Sequence, residues 1–352
     1  MLILILIFNL LIRNANAKSV DSKCKRQARR EFEVYAWPLH LDPHLYPLEN
    51  ITTIAQWGRK NVEFFHDSGI RVEFCVGNEH VDFVDLNDQA YRKRLVDFIR
   101  TTVDEGCFDG AVFDAEGPIF DEETKEAYVS LIKETREALL DLGPDISLSM
   151  AVPFDPKPLA CLSGRCKLWD KMAEHMDTLF IMGYDSQDNI ITASASSPLD
   201  KITEGVENYL KMGIPKEKLV LGVHWASYRY PCVYMNRHHN PIPPCVVDFA
   251  HRLIDSLSNA LHNCSENALD GVNYDSDSHT VYCSTRENGH YRQRWFDTPA
   301  TLAEKYKMAA AHGLAGLGMW SCDLIDYPLS ANPLSKQYWD QIAEYARGSE
   351  IC

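Results

Sequence analysis

The sequence lacks any excess of positive charge: 35 Lys and Arg stand against 50 Asp and Glu, a formal net charge of -15. Nucleic-acid binding needs clustered basic side chains to neutralise phosphates, so that class is excluded. The one basic run, Lys23 to Arg30, reads as a solvated arm before the first strand. No tandem CxxC arrangement of the kind that holds structural zinc is present. No strand is followed by the glycine-rich turn that opens a phosphate-binding helix either. Gly313, Gly316 and Gly318 precede and enter a strand, where they read as tight packing, and the adjacent His238 and His239 read as surface loop residues. No metal and no cofactor are expected. Long apolar runs are also scarce. Leu2 to Leu11 is shorter than the ~20 residues a membrane span needs, and no later segment is long enough, so no membrane span is expected.

That first run ends in Ala15-Asn16-Ala17, a small-x-small cleavage pattern, so residues 1–17 read as a secretory signal. The remainder, 18–352, reads as one domain behind an N-terminal arm of 18–31, because no linker composition divides it. Eleven cysteines agree with an oxidising compartment, with Cys161/Cys166 and Cys232/Cys245 close enough for local bridges. The odd count leaves one thiol free or bridging chains. Asn50-Ile51-Thr52 and Asn263-Cys264-Ser265 are glycosylation acceptors. The expected location is the secretory pathway, ending in the lysosome or outside the cell.

Apolar, β-rich runs alternate with amphipathic stretches along the 352 residues. Strands are predicted at Phe32 to Trp37, Ile51 to Ala55, Arg71 to Val76, Gly110 to Glu116, Ile146 to Val152, Thr178 to Tyr184, Leu219 to Trp225 and Gly316 to Trp320. Helices are predicted at Gln89 to Asp104, Glu122 to Leu142, Pro198 to Met212 and Pro299 to His312. Strands joined by helical crossovers in this number give an α/β fold, a (β/α)8 TIM barrel. The stretch 230–296 is too long for an ordinary loop and carries Cys232, Cys245, Cys264 and Cys283, so a disulfide-held insertion between strands 7 and 8 of the barrel is expected.

Barrel chemistry sits at the C-terminal strand ends. Asp114 and Glu116 end the fourth strand two positions apart, hence on one face. Tyr184 and Asp185 end the sixth, and Trp320 ends the eighth. Burying an unpaired carboxylate is costly, so a pair of acids at an apolar strand end points to use. An acid, a charge stabiliser, a hydroxyl donor and a flat apolar platform suit a sugar ring. Asp185 reads as a wall binding sugar hydroxyls or as a strand-end cap, and Trp225 as a subsite wall or a packing residue. Asp109, an odd number of residues from Glu116, points to the opposite face and suits a strand-start hydrogen bond to backbone.

The run Asp109-Gly110-Ala111-Val112-Phe113-Asp114-Ala115-Glu116 resembles the Asp-Gly-x-Asp/Asn-x-Asp-x-Glu signature of family 18 glycoside hydrolases, the chitinase family. Met182-Gly183-Tyr184-Asp185 is similar to its Met-x-Tyr-Asp motif, and Gly318-Met319-Trp320 to its last-strand tryptophan. Phe32-Glu33-Val34, Lys218 to Trp225, Trp295 to Pro299 and Gly316 to Trp320 are similar, in the same order, to the chitobiases within that family. The resemblance implies a glycosidase that cleaves β-1,4 bonds between N-acetylglucosamine (GlcNAc) residues by substrate-assisted, retaining catalysis. It implies Glu116 as general acid, Asp114 as holder of the substrate acetamide, Tyr184 as the hydroxyl that aims it and Trp320 as the subsite floor. A neighbouring negative charge favours the protonated form a general acid needs. The implied substrate is a GlcNAc-containing oligosaccharide, the chitobiose core of free asparagine-linked glycans, handled by a monomer. Polymeric chitin is the alternative substrate, and a silent chitinase-like lectin the alternative function. One position departs from the family pattern: Val112 stands where Asp or Asn is usual, which removes both a hydrogen-bond partner and a like charge beside Asp114.

Overall fold

The computed structural model describes residues 24–39, 42–156, 167–186, 190–235 and 245–349. The signal segment 1–17, Cys161/Cys166 and His238/His239 lie outside the described residues. Eight parallel strands close a barrel: β1 (Glu33–Trp37), β2 (Thr53–Gln56), β3 (Arg71–Gly77), β4 (Gly110–Asp114), β5 (Ser147–Pro153), β6 (Thr178–Met182), β7 (Leu219–His224) and, after the insertion, β14 (Gly316–Trp320). Their spatial order is β1-β14-β7-β6-β5-β4-β3-β2, with β2 returning to β1. Each predicted strand is present with bounds within two residues of those expected.

Period-2 alternation sorts the side chains into two cores. Tyr35, Trp37, Ala55, Cys75, Val112, Ala151, Phe180, Met182, Tyr184 and Val220 pack inside the barrel. Val34, Ile54, Val72, Phe113, Ile181 and Leu317 face out beneath the helices. Phe180 fills the axis because Gly222 and Gly318 leave it room; a Cβ on either would come within 2.1 and 2.5 Å of its ring. The outer layer contains α1 (Val62–Asp67), α2 (Gln89–Glu105), α3 (Glu122–Leu140), α4 (Trp169–Ala173), α5 (Leu199–Lys211), α7 (Pro299–Ala311) and α8 (Pro333–Ser349). Side chains satisfy the orphan amides at several starts: Asp88 accepts from Ala90, Asp121 from Thr124, and Thr298 forms a capping box with Thr301 ahead of Pro299.

The insertion starts earlier than expected, at Ala226 immediately beyond β7. It is an antiparallel sheet ordered β10-β8-β13-β12-β11, with β9 added to β8. Its strands are β8 (Ala226–Met235), β9 (Cys245–Val247), β10 (Leu253–Ser256), β11 (Ala268–Asp275), β12 (Thr280–Glu287) and β13 (His290–Phe296), with α6 (Leu257–Asn267) packed on it. Disulfides Cys232–Cys245 and Cys264–Cys283 tie it together.

The described part of the basic arm is not a solvated tail. Cys24 is disulfide-bonded to Cys107, Arg26 donates to the Phe108 and Val103 carbonyls, and the Gln27 amide donates to Asp109. The guanidinium also pairs with Asp104 at 3.5 Å, and the Val103 carbonyl it reaches accepts the Phe108 amide as well, so the run serves as a strap under the barrel. Two thiols rather than one are free among the described residues, Cys75 and Cys322, both buried. Of the glycosylation acceptors, Asn50 ends a 3-10 turn and Asn263 lies on α6, both half-buried.

Candidate active site

β4 delivers Asp114 at its last position, and Glu116 follows two residues beyond in the same phase; both are half-exposed at the barrel mouth. The backbone around Glu116 is held at three points. Its amide donates to Asn78 Oδ1 (2.7 Å), Lys167 Nζ donates to the Ala115 carbonyl, and Gly117 lies so close to Phe83 that a Cβ would come within 2.3 Å of the ring. Lys167 is itself ringed by Phe83, Tyr128 and Trp169, with its ammonium 5.0, 4.7 and 5.7 Å from their centroids.

Below Asp114, Val112 is fully buried between Cys75 and Ser149 in the strand register. Burial, then the charges of Asp114 and Glu79, push the Cys75 thiol well above its ordinary pKa, so it stays a neutral thiol. Position 112 therefore gives Asp114 an apolar support and no acceptor or donor.

Across the mouth, the chain leaving β6 at Met182 carries Tyr184 and Asp185. Tyr184 lies against Trp320 at the end of β14, with ring centroids 6.1 Å apart. His224, the last residue of β7, lies against both: 5.3 Å from Tyr184 and 5.2 Å from Trp320, nearly parallel to the latter at 12°. Its other neighbour is Tyr228 of the insertion, at 5.4 Å. Asp185 takes a left-handed backbone conformation (φ 58°) and accepts a hydrogen bond from the Tyr228 hydroxyl.

Two expectations need correction or completion. Trp225 is not a subsite wall. It is fully buried on the outside of the barrel, edge-on to Trp339 of α8 at 4.9 Å, with Nε1 facing the Tyr306 hydroxyl at 3.4 Å. The inward phase of β7 is set by Val220 and Gly222, which puts His224 inside and Trp225 outside. Counting by twos from Val220 would have found His224. Asp109 sits on the barrel floor, accepting from the Gln27 and Val72 amides and paired with His66 Nε2 at 2.8 Å. Among the described residues no group of three or more His, Cys, Asp or Glu side chains is disposed to hold a metal.

A family model described as Glycosyl hydrolases family 18 matches residues 52–324. The chain belongs to glycosyl hydrolase family 18. Within the family it is di-N-acetylchitobiase-like: it is 28% identical over 320 residues to di-N-acetylchitobiase of Homo sapiens, covering 85% of this chain and 79% of that one. It is 26% identical over 334 residues to probable di-N-acetylchitobiase 1 of Dictyostelium discoideum, covering 86% of each. A family 18 chitinase from Cycas revoluta has a similar fold, with TM-score 0.70 and 19% identity over 88% of this chain and 99% of that one. Family membership makes the chain a chitinase-like glycoside hydrolase by descent, and the disulfides agree with a secretory-pathway protein.

In this family 18 barrel His224 is neutral at ordinary pH. Burial, with a smaller push from Lys305, lowers its pKa from 6.5 to about 4 against the pull of Asp185. A histidine with a lower pKa folded than unfolded binds fewer protons when folded, so stability rises with pH between about 4 and 6.5 and is lost as pH falls through that window. The shift corresponds to roughly 3 kcal/mol. Unfolding midpoints of wild type and His224→Phe measured across this window should diverge, with wild type losing stability faster toward acid. Parallel curves would rule out the buried neutral imidazole.

Proposed function

We propose that this protein hydrolyses β-1,4 bonds between GlcNAc residues, removing the reducing-end GlcNAc from the chitobiose core of free N-glycan oligosaccharides. What supports the reading is the facing pair of assemblies at one mouth. Asp114 and Glu116 lie on one side, and the Tyr184, His224 and Trp320 stack lies on the other.

Glu116 is the general acid that protonates the glycosidic oxygen. The nucleophile is the substrate's own acetamide oxygen, which attacks C1 as the C1–O bond breaks, as in the substrate-assisted exceptions to two-carboxylate glycosidases. Asp114 accepts the acetamide N–H and stabilises the positive oxazolinium that forms. Tyr184 donates to the acetamide oxygen and aims it, Trp320 floors the sugar ring, and Asp185 binds sugar hydroxyls. Glu116, now a carboxylate, takes a proton from the water that opens the oxazolinium, which restores the acid and retains configuration. Secretion with signal removal and glycosylation at Asn50 and Asn263 belong to the same reading.

The test is to incubate purified protein with chitobiose and with a chitobiose-cored free oligosaccharide between mildly acidic and neutral pH, resolving products by mass. Loss of one reducing-end GlcNAc supports the proposal. Activity confined to polymeric chitin makes the protein a chitinase, and binding without turnover makes it a lectin, the reading that Val112 favours.

A further inference from the structure

The insertion does more than border the mouth. Tyr228, in β8, packs with Tyr230 and Trp295 on the insertion's inner face. Its ring lies against His224, with planes 29° apart, and the Arg252 guanidinium lies 5.3 Å from its centroid. Its hydroxyl donates to Asp185 Oδ1. Burial and the Asp185 charge push the phenol well above its ordinary pKa, so it keeps its proton and remains a donor. Asp185 is held from a second direction, because its amide donates to Ser196 Oγ at 3.1 Å. A carboxylate in a left-handed turn at a strand end has several rotamers open to it, and a charge-assisted hydrogen bond from a buried donor selects one.

We infer that Tyr228 is a positioning residue through which the insertion aims the Asp185 carboxylate at the sugar and so sets affinity for the oligosaccharide. The inference rests on the proposed role of Asp185 as a sugar-binding wall. A carboxylate already fixed in direction loses less freedom when a sugar hydroxyl donates to it, so the gain appears in binding. Turnover depends on Glu116, Asp114 and Tyr184, whereas the phenol hydroxyl acts through the Asp185 carboxylate, so kcat is spared.

Tyr228→Phe keeps the ring against His224 and removes only the hydroxyl. With chitotriose as substrate, KM should rise about tenfold, the scale of one hydrogen bond to a charged group, with kcat within about twofold and the thermal midpoint unchanged. In an Asp185→Ala background the same change should have no further effect, because the acceptor is gone. A KM within about twofold of wild type, full additivity with Asp185→Ala, or a fall in kcat together with the thermal midpoint would each overturn the inference. Wild type that binds chitotriose without cleaving it overturns the hydrolase reading alone, and Tyr228→Phe then has to raise Kd by the same factor. Wild type that neither binds nor cleaves overturns both.

Discussion

Glu116→Gln is expected to lower turnover of GlcNAc oligosaccharides by about 10²- to 10⁴-fold, the range a positioned general acid supplies, while calorimetric affinity for chitotriose stays within about tenfold. The change is nearly isosteric, and the contacts that hold this segment, Asn78 to the Glu116 amide and Lys167 to the Ala115 carbonyl, go to backbone that the substitution leaves in place. The fold should therefore survive. Because the nucleophile is carried by the substrate, the amide's failure falls on leaving-group protonation. An aryl glycoside whose leaving group departs without a proton should lose far less than a sugar substrate does. Activity within tenfold of wild type on chitotriose, or equal losses on both substrates, would sink the assignment of Glu116 as the acid.

The largest stability effect is expected at Lys305 of α7. Its ammonium is wholly buried against Asp297, just beyond the end of the insertion, and the same carboxylate oxygen accepts from Thr301 at 2.7 Å. The Asp297 carbonyl accepts from the Tyr338 hydroxyl of α8 at 2.6 Å. Burial pushes the ammonium below its ordinary range, and the adjacent carboxylate pulls it back. Removing one partner of such a pair leaves the other charged and unpaired, so Lys305→Met should cost about 3–5 kcal/mol in urea unfolding. Adding Asp297→Asn neutralises the orphan and should return most of that loss. If the double variant is as unstable as the single, lost packing is the cause, and the ion pair is not.

Strand positions were legible because each depends on a run of four to seven consecutive residues whose alternation is visible in order. The acids of β4 were legible for the same reason, since Asp114 and Glu116 share a phase with Val112, which packs inside the barrel. The β7 end was misread at Trp225, where an aromatic residue beside a histidine gives no local sign of which one faces in. That choice is made by Val220 filling the barrel and by α8 covering Trp225. The basic arm was misread because its partners, Phe108, Val103 and Asp109, lie more than seventy residues away.

The sequence by itself determined the eight-strand α/β pattern, the cysteine-rich insertion and the chemical kind of the mouth, since alternation and short motifs involve only near neighbours in the chain. Only the tertiary structure decided that His224 lies against both Tyr184 and Trp320, that Tyr228 holds Asp185, and that Cys24 pairs with Cys107. Those contacts join residues from separate strands and loops. Barrel closure and the return of the insertion bring them within a few ångströms, and no spacing along the chain encodes that.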